Sequence, residues 1–157
     1  MQSIQLSNET EVHINEPRVL QTAIFAMGYM GLEIETELSI SFIDIDQMRQ
    51  LNLDYMQEDA PTDVLAFPMD ELKPAAPGQR AEVGILGDLV FSPHYIKNQA
   101  ESQNAEFEDE LDLLVVHGVL HCLGFDHQEE TEHKEMFDLQ AEILEALAEY
   151  RLGESVE

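Results

Sequence analysis

The sequence is poor in the features that mark secreted, disulfide-rich or membrane proteins. It has a single cysteine, Cys122, which cannot form an internal disulfide bond and agrees with a reducing compartment. It has no run of about 18 uncharged apolar residues, and its first residues lack the basic and apolar regions of a secretory signal. We therefore expect a soluble protein of the cytoplasm that does not associate with a membrane.

Positively charged residues are also scarce. Seven Lys and Arg stand against 33 Asp and Glu, which gives a formal net charge of −26. The basic residues are scattered along the chain, at Arg18, Arg49, Lys73, Arg80, Lys97, Lys134 and Arg151. Such a charge repels polyanions and attracts basic partners, so on its own it argues against nucleic acid as a ligand. The simplest role of the acidity is to keep the protein soluble.

The apolar content of the chain is sufficient for one core, because 44% of the residues are hydrophobic. We predict one domain over residues 1–157. The predicted strands are residues 3–8, 38–45, 64–69 and 83–91. The predicted helices run from Asn15 to Gly28 or Gly31, from Asp46 to about Tyr55, from Ser92 to about Ala100, from about Ala105 to Gly124, and over residues 129–150. This order indicates an α+β fold in which a small mixed sheet of about four strands is covered by about five helices.

Two of the strands contain residues that are unusual in strands. Pro68 is expected to end the third strand or to place it at a sheet edge, because proline cannot donate a ladder hydrogen bond. Gly87 and Asp88 lie inside the fourth strand and indicate a bulge or a close approach of another group. A carboxylate within a strand also indicates either a sheet edge or a place in a functional site.

Three of the six histidines lie in one short window, HGVLHCLGFDH, residues 117–127. His117 and His121 are four residues apart on a predicted helix, so both imidazoles can face one metal ion, as on the metal helix of metzincin peptidases. Gly124 suits the left-handed residue that ends a helix, after which the chain can present His127 as a third ligand. Three imidazoles leave an open position on a tetrahedral Zn2+, which is typical of catalytic sites, although Ni2+ or another divalent ion suits the same ligands.

Other residues of the window qualify this interpretation. Gly118 stands where a metzincin peptidase carries the glutamate that takes a proton from the metal-bound water, so peptidase activity is disfavoured. A glycine there leaves room for a substrate or another part of the chain beside the metal. Cys122 projects about 100 degrees round the helix from His121 and is expected to pack in the core. Asp126 is either a carboxylate that orients a histidine ligand or a turn residue.

The window and two upstream segments resemble the motifs of a known family. HGVLHCLGFDH is similar to the HGxLHLxGYDH signature of the YbeY family, the metal-dependent endoribonucleases of bacterial ribosomal RNA maturation. LNLDYMQEDAPTDVLAFP is similar to LNxxYRxxDxPTDVLSFP, and LGDLVFSP to LGDIxISP, so three ordered motifs cover residues 51–127. The resemblance implies a single α+β domain with a metal at His117, His121 and His127. It also implies cleavage of single-stranded RNA, processing of the 3′ end of small-subunit (16S) ribosomal RNA and a role in ribosome quality control.

The resemblance also implies partners, namely ribosomal RNA precursor, the small ribosomal subunit with one of its basic proteins, and the GTPase Era. An acidic protein is suited to dock on basic ribosomal proteins. The chain departs from the family pattern at Met56, where the family has an arginine thought to hold the substrate phosphate. Ala66 and Phe125 replace a serine and a tyrosine, which are milder changes. Candidates for the missing cation are Arg49, Lys73 and Arg80.

These observations lead to one hypothesis and two alternatives. The hypothesis is a metal-dependent endoribonuclease in which the three histidines hold the metal, with Asp88 and Asp126 as supporting carboxylates. Thr62 and Asp63 are expected to cap a turn or anchor a strand rather than to perform chemistry. The first alternative is a non-catalytic ribosome assembly factor with a structural metal. The second is a metallopeptidase.

Overall fold

The computed structural model describes residues 3–126 and 128–156 and contains the predicted order of strands and helices. The strands are β1 Ser3–Asn8, β2 Glu37–Phe42, β3 Val64–Pro68 and β4 Ile85–Phe91. The helices are α1 Glu16–Tyr29, α2 Ile45–Met56, α3 Pro93–Ser102, α4 Phe107–Cys122 and α5 Glu130–Val156. The α+β class, the four strands and the five helices are therefore confirmed.

The four strands form one mixed sheet in the order β1-β2-β4-β3. β1 pairs with β2 and β2 with β4 in parallel, whereas β3 runs antiparallel to β4 and forms an edge. Pro68 is thus on an edge strand, as its missing N–H requires. The register between β2 and β4 shifts where Glu37 pairs with Ile85 but Leu38 pairs with Gly87, which confirms the bulge expected at this point.

The sheet has a different helix layer on each face. Side chains alternate along a strand, so Leu38, Ile40 and Phe42 share one face with Leu89 and Phe91, and this face carries the main core. That core is completed by residues of α1, α3, α4 and α5. The opposite face is covered by α2, where a smaller cluster of Ile43, Met48 and Leu65 is buried. Helix α4 lies centrally, in contact with β3, β4, α1, α3 and α5.

Two predicted helix starts need correction. Helix α2 is capped by Asp44 and not by Asp46, because the extended Asp44 accepts a hydrogen bond from the Gln47 N–H while the Gln47 side chain accepts one from the Asp44 N–H. This capping box also ends β2 at Phe42, earlier than the predicted residue 45. Ser92 precedes α3, with Pro93 at the first helical position, but its hydroxyl makes no side-chain cap. Asn15 caps α1 as predicted, by accepting a hydrogen bond from the Arg18 N–H at 3.2 Å.

A buried ionic network joins α1, α4 and α5. The carboxylate of Asp112, 9% exposed, accepts hydrogen bonds from Arg18 at 2.9 Å, Arg151 at 2.7 Å and the Thr22 hydroxyl at 2.9 Å. Burial by itself raises the pKa of Asp112, but the hydrogen bonds from Arg18 and Arg151 outweigh it and hold the pKa below the ordinary value of 3.8. Arg151 belongs to the end of α5, which continues beyond the predicted residue 150.

None of the helices within residues 3–126 and 128–156 is both long and apolar enough to cross a membrane. Helix α4 is apolar nearly all round because it is packed on all sides by the rest of the fold.

Candidate active site

A cleft of about 460 Å³ runs between α4 and the edge strand β3. The end of α2 closes it at one side and α5 at the other. Its lining consists of Met56, Thr62, Asp63, Val64, Leu65, Ala66, Gln99, Glu110, Leu113, Leu114, His117, Gly118, His121 and Phe137. The volume falls in the range of small-molecule and cofactor sites.

Two of the predicted metal ligands meet in this cleft. His117 and His121 lie one turn apart on α4, their ring centroids are 4.8 Å apart and their planes are inclined at 74°. Both side chains are half-buried and line the cleft wall. The structure therefore brings these two imidazoles together on one helix face, as their spacing predicted.

The orientation of His117 is set by a residue that the sequence analysis missed. The His117 Nδ1 lies 2.9 Å from the Oε1 of Gln140 on α5, and Gln140 is 4% exposed. An amide oxygen only accepts hydrogen bonds, so Nδ1 donates and Nε2 is the ring nitrogen that carries the lone pair. This is the tautomer that metal-binding histidines adopt. A sequence signal existed, because Gln140 is a polar residue within the apolar stripe of Met136, Ile143 and Leu147.

The end of α4 confirms the role predicted for Gly124. Its φ is +97°, the Gly124 N–H donates to the His121 carbonyl and the Phe125 N–H donates to the Leu120 carbonyl. These two bonds form a Schellman motif, which reverses the chain after the helix. His127, the predicted third ligand, lies outside the described residues, so its ligand role stays a prediction.

Gly118 lines the cleft and also packs against the sheet, so another part of the chain makes the close approach expected at this glycine. A Cβ atom at this position would lie 2.8 Å from Cδ2 of Leu89 on β4, and Leu89 is fully buried. Glycine is thus required for α4 to pack closely on the strand. Gly118 has no side chain that could take a proton from a metal-bound water, so the peptidase alternative is not favoured.

The carboxylates proposed to support the histidines are placed differently. Asp88 lies on β4, an interior strand, so the expectation of a sheet edge was wrong. It pairs with Ser39 and Phe67 and alternates with Leu89, which puts it on the α2 face of the sheet, and it is not among the residues that line the cleft. Its role as a supporting carboxylate stays a prediction. Asp126 is half-buried just beyond the α4 turn and is not among the residues that line the cleft. Its role as a supporting carboxylate stays a prediction.

Cys122 is a core residue, in agreement with the sequence analysis. It is 1% exposed, and its Sγ lies 2.9 Å from where a Cβ of Gly87 would stand. Burial, with a contribution from the negative charge of Asp88, raises the pKa of the Cys122 thiol to about 12. The neutral thiol therefore packs between α4 and β4 as a small apolar group.

Two other carboxylates line the cleft. Asp63 anchors β3 as expected, because its Oδ1 accepts from the Val64 N–H at 2.7 Å and its carbonyl from the Ser92 N–H at 2.9 Å. Its Oδ2 is 3.3 Å from the amide nitrogen of Gln99, which is also 3.4 Å from Oε1 of Glu110. Asp63 and Glu110 thus make one end of the cleft acidic. This grouping could not be predicted locally, since Asp63 lies in the loop before β3, Gln99 on α3 and Glu110 on α4.

The described lining of the cleft includes no lysine or arginine. Met56, 43% exposed, stands there instead. Two of the cations considered as replacements are engaged elsewhere. Arg49 makes a two-point ion pair with Asp59, at 2.6 and 3.0 Å, and Arg80 makes another with Glu33, at 3.0 Å for both bonds.

The comparisons with known proteins agree with this geometry. A family model described as Endoribonuclease YbeY matches residues 4–148. The chain belongs to the YbeY family. Among its relatives, a protein of Thermobifida fusca named Endoribonuclease YbeY is 46% identical over 142 residues, which cover 90% of this chain and 92% of the relative. One of Leifsonia xyli subsp. xyli with the same name is 41% identical over 148 residues, which cover 94% and 97%.

A solved structure supports the fold independently. The solution structure of TM1509 from Thermotoga maritima has a TM-score of 0.62 to this chain at 24% identity, and the match covers 98% of this chain and 95% of that one. At this level of identity the likeness concerns the fold alone. The YbeY signature residues His117 and His121 therefore lie in the YbeY fold, on the wall of its cleft.

Proposed function

We propose that this chain, as a single hydrolase domain of residues 1–157, is a metal-dependent endoribonuclease that cleaves single-stranded regions of ribosomal RNA precursor. The observation that carries the proposal is the pair of imidazoles that a YbeY-family chain presents in an open cleft, with the tautomer of one fixed by Gln140. The curated relatives at 41–46% identity are named endoribonucleases.

The metal-binding part of the proposal assigns His117, His121 and His127 as ligands of one divalent cation, with Zn2+ first and Ni2+ as an alternative. The two described histidines fit such an ion, because they share a helix face, open into a cleft, and His117 offers an Nε2 lone pair. The bound cation would supply polarisation of a phosphoryl oxygen and activation of water or of the RNA 2′-hydroxyl. Gly124 reverses the chain at the end of α4, three residues before the proposed third ligand in the sequence.

The remaining cleft residues orient the RNA. Asp63 and Glu110 repel phosphate at their end of the cleft, so the phosphate to be cleaved lies at the histidine end. Phe137, 38% exposed and 5.9 Å from the ring of His117, lines the cleft and is stacked on the ring of His133 at 4.4 Å, so the two rings form an aromatic surface beside that phosphate on which a nucleobase can pack. A single strand is required, because a paired base is unavailable for such stacking.

The proposal extends to the partners of the reaction. The substrate is ribosomal RNA precursor at the 3′ end of the small-subunit RNA, reached on the small ribosomal subunit through a basic ribosomal protein and with the GTPase Era as a further partner. The net charge of −26 supports docking on basic proteins, since complementary charge speeds and orients association. The RNA itself carries charge of the same sign, so the basic protein helps to hold the enzyme at its substrate.

Our first prediction concerns His117. We expect His117→Ala to lower cleavage of a single-stranded ribosomal RNA precursor by at least about 100-fold, because a ligand contributes more than the outer partners whose loss costs about 10–100-fold. A chelator should abolish cleavage by the wild type. The matched control is His94→Ala, which removes an exposed histidine of α3 and should leave the rate unchanged.

Elemental analysis of the same proteins completes the experiment. The wild type and His94→Ala should carry one equivalent of metal, and His117→Ala clearly less. Equal cleavage by His117→Ala and the wild type would refute the proposal. A metal-loaded wild type that sediments with small subunits but cleaves no RNA would instead support the assembly-factor alternative.

A further inference from the structure

The basic residues of this chain differ in whether they are already neutralised. Five of the seven are in ion pairs with N–O distances of 3.0 Å or less. These pairs are Arg18 and Arg151 with Asp112, Arg49 with Asp59, Arg80 with Glu33, and Lys134 with Asp138. Within residues 3–126 and 128–156, Lys73 and Lys97 have no carboxylate partner within ion-pair distance. These two lysines are therefore the cations that remain available to an anionic ligand.

Lys73 lies beside the end of the histidine helix. It follows Leu72, which is 4% exposed and fixes the loop after β3 to the core. The Lys73 Nζ is 3.1 Å from where a Cβ atom of Gly124 would stand. Gly124 is three residues beyond His121 and donates its N–H to the His121 carbonyl. The ammonium group is thus held against the turn that connects the two ends of the histidine window.

The surface around Lys73 continues from the cleft along β3. Ala66 lines the cleft, and Pro68, two residues further on the same edge strand, lines a depression of about 200 Å³ together with Lys73 and Gly124. Two strand residues span about 7 Å, which is comparable to one nucleotide of an extended chain. An RNA strand that leaves the histidine end of the cleft along β3 therefore reaches Lys73 with its next phosphate. Glu71 lines the same depression but is not an ion-pair partner of Lys73.

We propose that Lys73 binds the RNA phosphate adjacent to the one that is cleaved, and so supplies the positive charge that the family places at the position of Met56. This inference rests on the proposed endoribonuclease function. A lysine ammonium is a compact point charge without the two-point geometry of arginine, which suits a phosphate that must be released after cleavage. Lys97, on the exposed surface of α3, has no such position and serves as the matched control.

The test compares Lys73→Gln with Lys97→Gln in the metal-loaded, full-length protein. Binding of a fluorescent single-stranded RNA is measured by anisotropy beside steady-state cleavage, across a series of NaCl concentrations. Lys73→Gln should raise the Kd and KM about fivefold, the upper end of an exposed ion pair, and leave kcat nearly unchanged. The dependence of log Kd on log salt should also change by about 0.7, the value for one lost phosphate contact with a single strand. Lys73→Arg should restore the wild-type Kd and its salt dependence, and Lys97→Gln should match the wild type in both quantities.

Other outcomes separate the possible failures. If Lys73→Gln and Lys97→Gln give the same Kd and the same salt dependence, Lys73 is not a phosphate contact. If Lys73→Gln only lowers the free energy of unfolding, the lysine merely neutralises the negative end of α4. If the wild type binds RNA through Lys73 but does not cleave it, the phosphate contact stands and the endoribonuclease function falls. If the wild type neither binds nor cleaves RNA, both proposals are overturned.

Discussion

At the scale of single residues, α4 separates two tasks between neighbouring positions. His117 and Gly118 both line the cleft, but Gly118 also packs against Leu89, which fills the space that a Cβ atom would need. The histidine helix can therefore lie close to β4, and the position of His117 and His121 depends on the glycine that packs against Leu89. This explains why a motif with two histidines on one helix carries glycine between them here.

Gly118→Ala should destabilise the protein by about 1–2 kcal/mol, because the added methyl overlaps a fully buried leucine. In a Leu89→Ala background the same change should become neutral or stabilise by up to about 1 kcal/mol, since alanine then gains its helix propensity without overlap. Chemical denaturation of the wild type, the two single variants and the double variant measures the coupling free energy between positions 118 and 89.

The control is Gly28→Ala in α1, where a Cβ would meet nothing within 4 Å. This variant should be neutral or slightly stabilising. Equal effects at Gly28 and Gly118, or strict additivity of Gly118→Ala and Leu89→Ala, would contradict the packing role of Gly118.

Gln140 allows a second prediction at this scale. Gln140→Met keeps the size of the side chain but removes the acceptor for His117 Nδ1, and we expect it to weaken metal binding by about 10–100-fold. Gln140→Glu keeps an acceptor and should retain most of the affinity. Competition with a chromogenic chelator measures both. If the two variants lose the same affinity, Gln140 acts through packing and not through its hydrogen bond.

The residues of the site differ in how far they could be predicted. The spacing of His117 and His121 fixes their common face once α4 is a helix, so this pair needed only local geometry. Gln140, Asp63 and Glu110 reach the cleft from other elements, and their positions depend on how those elements pack. The face of Asp88 likewise depends on the bulge at Gly87 and on strand order, which the local sequence does not contain.

At the scale of whole elements, the buried network around Asp112 joins three helices by charge. Arg18 on α1 and Arg151 on α5 both bind the carboxylate on α4, which also carries the histidines. The last turns of α5 are thereby fixed to α1, and α5 in turn carries Gln140 and Phe137 to the cleft. The network thus supports the cleft wall from a distance.

Asp112→Ala should destabilise the protein by about 3 kcal/mol, because the partly buried Arg151 loses its carboxylate partner and Arg18 keeps only the more exposed Glu108 and Asp109. The pKa of Asp112 is below its ordinary value in the folded protein, so its stabilisation is complete above about pH 4 and is lost as the pH falls through the lower folded value. Denaturation should be measured between neutral and acid pH for the wild type and Asp112→Ala. The difference between their free energies of unfolding should shrink only below about pH 4.

Asp138→Ala is the matched control for the charge, since it removes a carboxylate from the exposed Lys134–Asp138 pair on α5. Asp138→Ala should lower the free energy of unfolding by at most about 0.5 kcal/mol at neutral pH. A loss at Asp138 as large as that at Asp112, or a difference between Asp112→Ala and wild type that grows in acid, would contradict this account.

The secondary structure was predictable where local signals were strong. The order of all nine elements follows from apolar periodicity and from prolines and glycines between them. The start of α2 was placed two residues late because Asp44 and Asp46 are both capable caps, and only the reciprocal bond with Gln47 selects the first. Helix α5 extends beyond residue 150 because Arg151 is held by Asp112, a tertiary contact.

At the scale of the whole molecule, the distribution of charge matters more than its sum. The excess of 26 negative charges opposes any polyanion at long range. In addition, five of the seven basic residues form ion pairs with carboxylates within the fold. What remains near the cleft is the histidine pair, the aromatic ring of Phe137 and the ammonium of Lys73. Under the proposed function, this small group of residues contacts RNA against the repulsion of the whole molecule, and a basic partner protein would offset that repulsion.

The strand order β1-β2-β4-β3 also determines when the sheet can be completed during synthesis. β2 and β3 do not pair with each other, and both need β4, which follows β3 by a loop of 16 residues from Met69 to Gly84. Until Ile85–Phe91 has left the ribosome, β2 has an open edge and β3 has no partner. Such edges add strands from other chains, so the nascent protein is most exposed to aggregation just before its central strand arrives.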